Sequence, residues 1–175
     1  MKFRLAASFG ALLIAFAASP ANAATTTFIA TLSSAGESNA TSTATGNATV
    51  TFNDVAGTVG VNVSWAGLLG SAPFGHIHCC TAVAGTGNVG VLQGFNALNN
   101  LPTSSYIDIF APAPATFSAL LAGTTAGKAY VNIHSSTYSG GEIRGFLAPI
   151  PEPETYALML AGLGAVAWAA RRRSA

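Results

Sequence analysis

The chain has 175 residues, which fits one domain of ordinary size with short appendages. Charged residues make up only 7% and hydrophobic ones 50%, a balance unlike that of a plain soluble globule, and the apolar excess sits at the two ends. Between them, residues 24–150 carry Glu37, Asp54, Asp108 and Glu142 against Lys128 and Arg144, a net charge of −2 that argues against nucleic acid as a partner.

Residues 1–23, MKFRLAASFGALLIAFAASPANA, place Lys2 and Arg4 ahead of an apolar run over residues 5–18 and a small-x-small site, Ala21-Asn22-Ala23. That order of charge, apolar stretch and cleavage site describes a secretory signal, with the mature chain expected to begin at Ala24. Alternation then dominates. TTFIATL groups Phe28, Ala30 and Leu32; NATVTF groups Val50 and Phe52; TVGVNVSW puts Val59, Val61, Val63 and Trp65 on one face with Asn62 and Ser64 on the other. YIDIF sets Tyr106, Asp108 and Phe110 against Ile107 and Ile109, and KAYVNIHS sets Val131 and Ile133 against Tyr130, Asn132 and His134. A period of two marks half-buried strands, and the Gly-rich breaks between the runs mark turns. An all-β fold is expected over residues 24–149: a single antiparallel β-sandwich or barrel-like domain. ATFSALLA, residues 115–122, reads equally as a helical turn or a strand.

His76, Ile77 and His78 form an H-x-H on an expected strand, where side chains two apart share a face. The two imidazoles can therefore offer two nitrogen ligands, with His134 a third and Glu142 or a cysteine completing a site for a metal ion. The competing reading is a structural polar network of His76, His78, His134, Glu142 and Arg144, because buried polar groups must find partners whatever the function. Cys79 and Cys80 are adjacent and expected to be exported, so a vicinal disulfide, thiolate ligands beside the His pair and bonds to another chain all compete. Neighbouring Cα atoms lie about 3.8 Å apart across a trans peptide, below the usual disulfide spacing. No G-x-S-x-G elbow and no paired carboxylates appear, so no catalytic residue and no cofactor beyond a metal ion is expected.

The C-terminal region, residues 150–175, reads as a sorting signal. Residues 155–170 contain no charge, a stretch of sixteen that is about 24 Å long as a helix and is expected to span the membrane. Arg171, Arg172 and Arg173 then stop transfer, leaving the β domain outside the cytoplasm.

Two family resemblances follow from these residues. Pro151-Glu152-Pro153, an apolar helix and the terminal Arg cluster together resemble the PEP-CTERM sorting tail of exported bacterial proteins. The resemblance implies processing by an exosortase, a membrane enzyme, in bacteria that build an extracellular polysaccharide. FIATLSSAGE, FGHIH and AGKAYVNIHSSTYSGGEIRGFL resemble the CHRD domain over about residues 28–147, with Cys79-Cys80-Thr81 where family members often have Gly-Pro-Ala. That resemblance implies an extracellular β-rich module without established catalytic residues. The leading expectation is an exported module, held at the membrane or released to the surface or matrix, that binds saccharide or surface proteins or acts as scaffold. The rival is a metal-binding protein or metal-dependent oxidoreductase built on the His-x-His pair.

Overall fold

Thr, Val and aromatic residues at alternate positions form long strands because one face can be buried while the other stays wet. In the computed structural model this gives β1 (Thr25–Ser33), β2 (Thr45–Asn53) and β3 (Thr58–Ala66), with a 3₁₀ turn, Ser34–Gly36, between the first two. Shorter strands follow: β4 (Gly75–His78), β5 (Val91–Gly94), β6 (Ser104–Phe110), β7 (Tyr130–Ile133), β8 (Ile143–Phe146) and β9 (Ala148–Pro149). Two helices, α1 (Pro114–Thr125) and α2 (Pro153–Arg173), complete the elements among the described residues. The structure describes residues 25–150 and 153–173. The expected signal segment with Ala21, Ala23 and Ala24, and Pro151 and Glu152 of the sorting motif, lie outside the described residues.

All strands join one antiparallel sheet in the order β5-β4-β7-β8-β1-β2-β3-β6, with β9 also paired to β1. A β-sandwich is therefore not what forms: a single sheet curls into a half-barrel, as the right-handed twist of long strands favours. Its two end strands approach through side chains. Phe95, one residue beyond β5, stacks on Tyr106 and Phe110 of β6 with ring centroids 5.3 and 6.2 Å apart. The Asn96 amide N–H donates to the Tyr106 hydroxyl at 3.0 Å.

The concave face is the core. Phe28, Leu32, Val50, Phe52, Val59, Val63, Ile77, Ile133, Ile143 and Leu147 are all buried there. The side chains expected to group along β1, β2 and β3 do so. In β6 the inward residues are Tyr106 and Phe110, and Ile107 and Ile109 face solvent. Trp65 reconciles burial with its polar edge by donating its indole N–H to the Leu101 carbonyl at 2.9 Å.

The undecided residues 115–122 lie in α1, which closes one side of the core. Pro114 occupies the first turn, where its missing N–H costs nothing. Phe117, Leu120 and Thr124 are buried at helical spacing, and Phe117 packs edge-on against Phe52 at 5.8 Å. The helix ends in a Schellman turn: Gly127, at φ +67°, donates to Thr124 and Lys128 donates to Gly123.

The membrane-crossing helix expected over residues 155–170 requires correction. Those residues are helical, within α2, but no helix among the described residues is long and apolar enough to cross a membrane. The uncharged stretch is short for a ~30 Å hydrocarbon core, and its many Ala and Gly residues add little hydropathy. Leu158, Met159, Leu160, Leu163 and Val166 are exposed, so none of them is buried against the β domain.

Candidate metal centre

Strands β4 and β7 are antiparallel neighbours, with His76 opposite Asn132 and His78 opposite Tyr130. Alternation sends Ile77, Val131 and Ile133 into the apolar core and the histidines to the opposite face. His134 lies one residue past β7, and its amide continues the pairing by donating to the Phe74 carbonyl at 3.0 Å. The three imidazoles are thereby brought together. One ring nitrogen from each lies within 4.8 Å of the others.

Hydrogen bonds assign the tautomers. His78 Nδ1 donates to the Val89 carbonyl and His134 Nδ1 to the Ser139 carbonyl, each at 2.7 Å. The Nε2 atom of both rings therefore carries the lone pair. His76 Nδ1 faces His134 Nε2 at 2.9 Å, whereas His78 Nε2 is buried without any hydrogen-bond partner. An Nδ1–H held by a backbone carbonyl, as in His78 and His134, is the arrangement by which proteins orient His ligands; His78 Nε2 has no partner among the described residues, whereas His134 Nε2 faces His76. Bound at ~2.1 Å in tetrahedral geometry, three nitrogens would sit about 3.4 Å apart, against separations of up to 4.8 Å in the present cluster.

The electrostatics agree with this tautomer state. Burial, then the neighbouring His134 and His78, lowers the pKa of His76 to about 4. Burial also lowers His78 and His134, opposed in each case by the bond to the backbone carbonyl. Neutral imidazole is the ligand form. Two rings pack the site from the side: Tyr130 stacks on His78 at 4.7 Å and 7°, and the exposed Phe74 stacks on His76 at 6.4 Å and 11°.

Glu142 and Arg144 join other partners. Glu142 directly follows the Gly141 turn and precedes β8; its carboxylate accepts the Leu69 amide N–H at 3.0 and 3.2 Å, pinning the loop after β3. Arg144 lies 4.8 Å from the centre of the Tyr130 ring and donates to the Gly87 carbonyl and Asn88 side chain. Neither is hydrogen-bonded to a histidine. Cys79 and Cys80, directly after His78, are joined by a disulfide across a cis peptide bond, with Cα atoms 3.0 Å apart. Both sulfurs are engaged with each other, so neither is a free thiolate.

The model of the CHRD domain matches residues 28–147, most of the chain. The chain belongs to the CHRD domain family. Its CHRD domain contains β4 and β7, the strands that build the histidine cluster. A second model, the PEP-CTERM protein-sorting motif, matches residues 149–173, which contain Pro151, Glu152, Pro153 and the Arg cluster, and marks an exosortase-sorted surface protein. No curated protein matches the chain.

Sequence reasoning had no means of finding the carbonyls of Val89 and Ser139 in this CHRD domain, because backbone acceptors leave no residue signature. Glu37 was visible only as a scattered acid. It packs beside Arg144, with Oε1 3.8 Å from Arg144 Nε, and both side chains are about nine-tenths buried.

Proposed function

We propose that the protein is an exported, exosortase-sorted surface module whose CHRD domain binds a transition-metal ion through His76, His78 and His134. The observation that carries the metal reading is the buried Nε2 of His78, unpartnered among the described residues, in a cluster where the Nδ1 atoms of His78 and His134 are tied to carbonyls. Imidazole donors suit Zn(II) or Cu(II), and three protein nitrogens leave one position open to solvent or a bound molecule. Glu142, spent on the Leu69 amide, does not complete the set.

Export is supported by the signal-like residues 1–23, and attachment by the sorting motif with the exposed apolar side chains of α2. The cationic end then faces the headgroups of a membrane that also houses the exosortase. The mass of the mature chain tests this part: loss of the residues beyond the motif marks cleavage, and an intact terminus carrying Arg171, Arg172 and Arg173 excludes it.

Metal titration of the purified protein, read by calorimetry and elemental analysis, tests the site. One equivalent of Zn(II) or Cu(II) is expected, with affinity reduced more than about 100-fold in the His76→Ala/His78→Ala variant. The 2.9 Å contact between His76 and His134 favours a second reading, a purely structural network. A folded protein that takes up no metal would establish that network in place of the ion.

A further inference from the structure

The two carbonyls that orient the histidines are held in different ways. Ser139 lies five residues beyond His134 in a turn that closes on itself: the Tyr138 amide donates to Ser135 Oγ at 3.0 Å, and the Ser135 and Gly141 amides both donate to the Tyr138 carbonyl. Val89 lies eleven residues beyond His78, in a loop without regular structure that holds Gly85 and Gly87 in the left-handed region, at φ +72° and +91°. Such a loop does not fix a carbonyl by itself, because glycine leaves the backbone many conformations.

The tethers come from β7 and β8. Tyr130 accepts the Val89 amide N–H at 3.4 Å and donates its hydroxyl to the Val89 carbonyl at 3.3 Å. Arg144 Nη1 donates to the Gly87 carbonyl at 3.2 Å and to the Asn88 side-chain oxygen. Packing fixes Arg144 in turn. Its side chain is only 10% exposed, its guanidinium carbon lies 4.8 Å from the centre of the Tyr130 ring, and Glu37 supplies a counter-charge at 3.8 Å. Gly36 makes room for the stem, since a Cβ there would lie 2.9 Å from Arg144 Cγ. The Tyr130 ring stacks on His78. Arg144 thus reaches His78 without a hydrogen bond to it, through the loop that carries Val89 and through the Tyr130 ring.

We infer that Arg144 is a positioning residue of the metal centre: by clamping residues 87–88 and the Tyr130 ring it keeps the Val89 carbonyl on His78 Nδ1, which leaves Nε2 as the ligand nitrogen. A guanidinium suits the task, because its planar fork donates to more than one acceptor while it lies over an aromatic ring. The inference rests on the metal reading of the histidines, but its effect on the His78 ring is measurable without metal.

The test compares Arg144→Gln with the parent, both as the purified full protein. Without metal, the imidazole nitrogen shifts in NMR report which ring nitrogen carries the proton. In Arg144→Gln the His78 ring is expected to become a mixture of tautomers, while His134, whose carbonyl sits in the separate turn, stays protonated at Nδ1. Zn(II) affinity should fall about tenfold, the low end for loss of a group that orients a His ligand. A merely stabilising Arg144 would lower the unfolding midpoint and leave both the His78 tautomer and Zn(II) affinity unchanged. If Arg144→Gln fails to fold, Asn88→Ala, at an exposed loop position, carries the test with a smaller change in the same direction. A His78 tautomer unchanged in the folded variant, His78 and His134 altered alike, or Zn(II) affinity equal to the parent's overturns the proposal. A parent that binds no Zn(II) removes the metal reading instead, and the tautomer comparison alone then decides whether Arg144 positions His78.

Discussion

Strand β3 and strand β7 share the same alternation of apolar and polar residues, yet only one of them shows its polar side to water. In β3, Val59, Val61, Val63 and Trp65 fill the core while Asn62 and Ser64 are exposed. In β7 all four residues are buried, with Val131 and Ile133 in the core and Tyr130 and Asn132 on the opposite face. Loops make the difference. Val89 meets the Tyr130 hydroxyl and His78, Ser139 meets His134, and Glu37 approaches Arg144 over the same face. A polar face beneath loops must have each group satisfied by protein or by a ligand, whereas a wet face leaves that to water. The candidate metal centre lies on the covered face.

Truncation on that face should give the largest contrast. Tyr130→Ala removes a buried ring that stacks on His78, underlies Arg144 and bonds Val89, and is expected to cost about 3–5 kcal/mol. Asn62→Ala, at a matching outward position of β3, should stay within about 0.5 kcal/mol of the parent. Urea unfolding of both variants measures the difference. Equal costs would show that the loops do not bury the second face in solution.

The contrast also explains what could be read from the residues alone. Phe28, Ala30 and Leu32, or Val61 and Val63, reveal their shared face through simple alternation, because one side of those strands meets only solvent. The likeness of Ile107 and Ile109 to core residues is misleading, since β6 turns its aromatic side inward to meet Phe95. The histidines were legible as a same-face pair plus one. Their convergence depends on β4 lying against β7, a pairing between segments about fifty residues apart that local pattern does not encode. Glu142 stands one residue before β8 and turns its carboxylate to the Leu69 amide, a loop contact that local pattern does not encode. For residues 115–122 in α1, the spacing of Phe117 and Leu120 fits a helix, but eight residues hold too few turns to separate it from a strand.

A smaller effect is expected where α1 meets the end of β4. Gly123 lies against the Cys79–Cys80 disulfide so closely that an added Cβ would overlap both sulfurs. On an exposed helix Gly→Ala would stabilise by up to ~1 kcal/mol, but here overpacking should dominate, for a net loss of about 1–2 kcal/mol. Thermal unfolding of Gly123→Ala checks the sign. Because Cys79 directly follows His78, a shift of the disulfide should also reach the metal ligands, and Zn(II) affinity in this variant should fall while that of Tyr138→Phe does not. A stabilised Gly123→Ala would mean that helix and disulfide are less tightly apposed than described.

The smallest expected effect is on pH dependence, and it again separates the two faces. Each histidine has a folded pKa below its ordinary value of 6.5, with His76 at about 4, so the unfolded chain takes up protons first on acidification. Their contribution to stability is thus complete above about pH 6.5 and is lost as the pH falls toward 4. Glu37 acts in the opposite sense, because burial raises its pKa, and it offsets part of that loss. Asp108, held low by Tyr106 and Asn96, adds its own loss only at still lower pH, around and below its ordinary 3.8. Unfolding midpoints of the metal-free protein should therefore decline between pH 6.5 and 4, and the decline should be shallower in His76→Gln. Zn(II) should hold the midpoint higher at pH 6, where folded His76 remains mostly neutral, and lose its effect near pH 4, where protons compete for it. A midpoint that stays level over this range would place the imidazoles in water, on a face as open as that of β3.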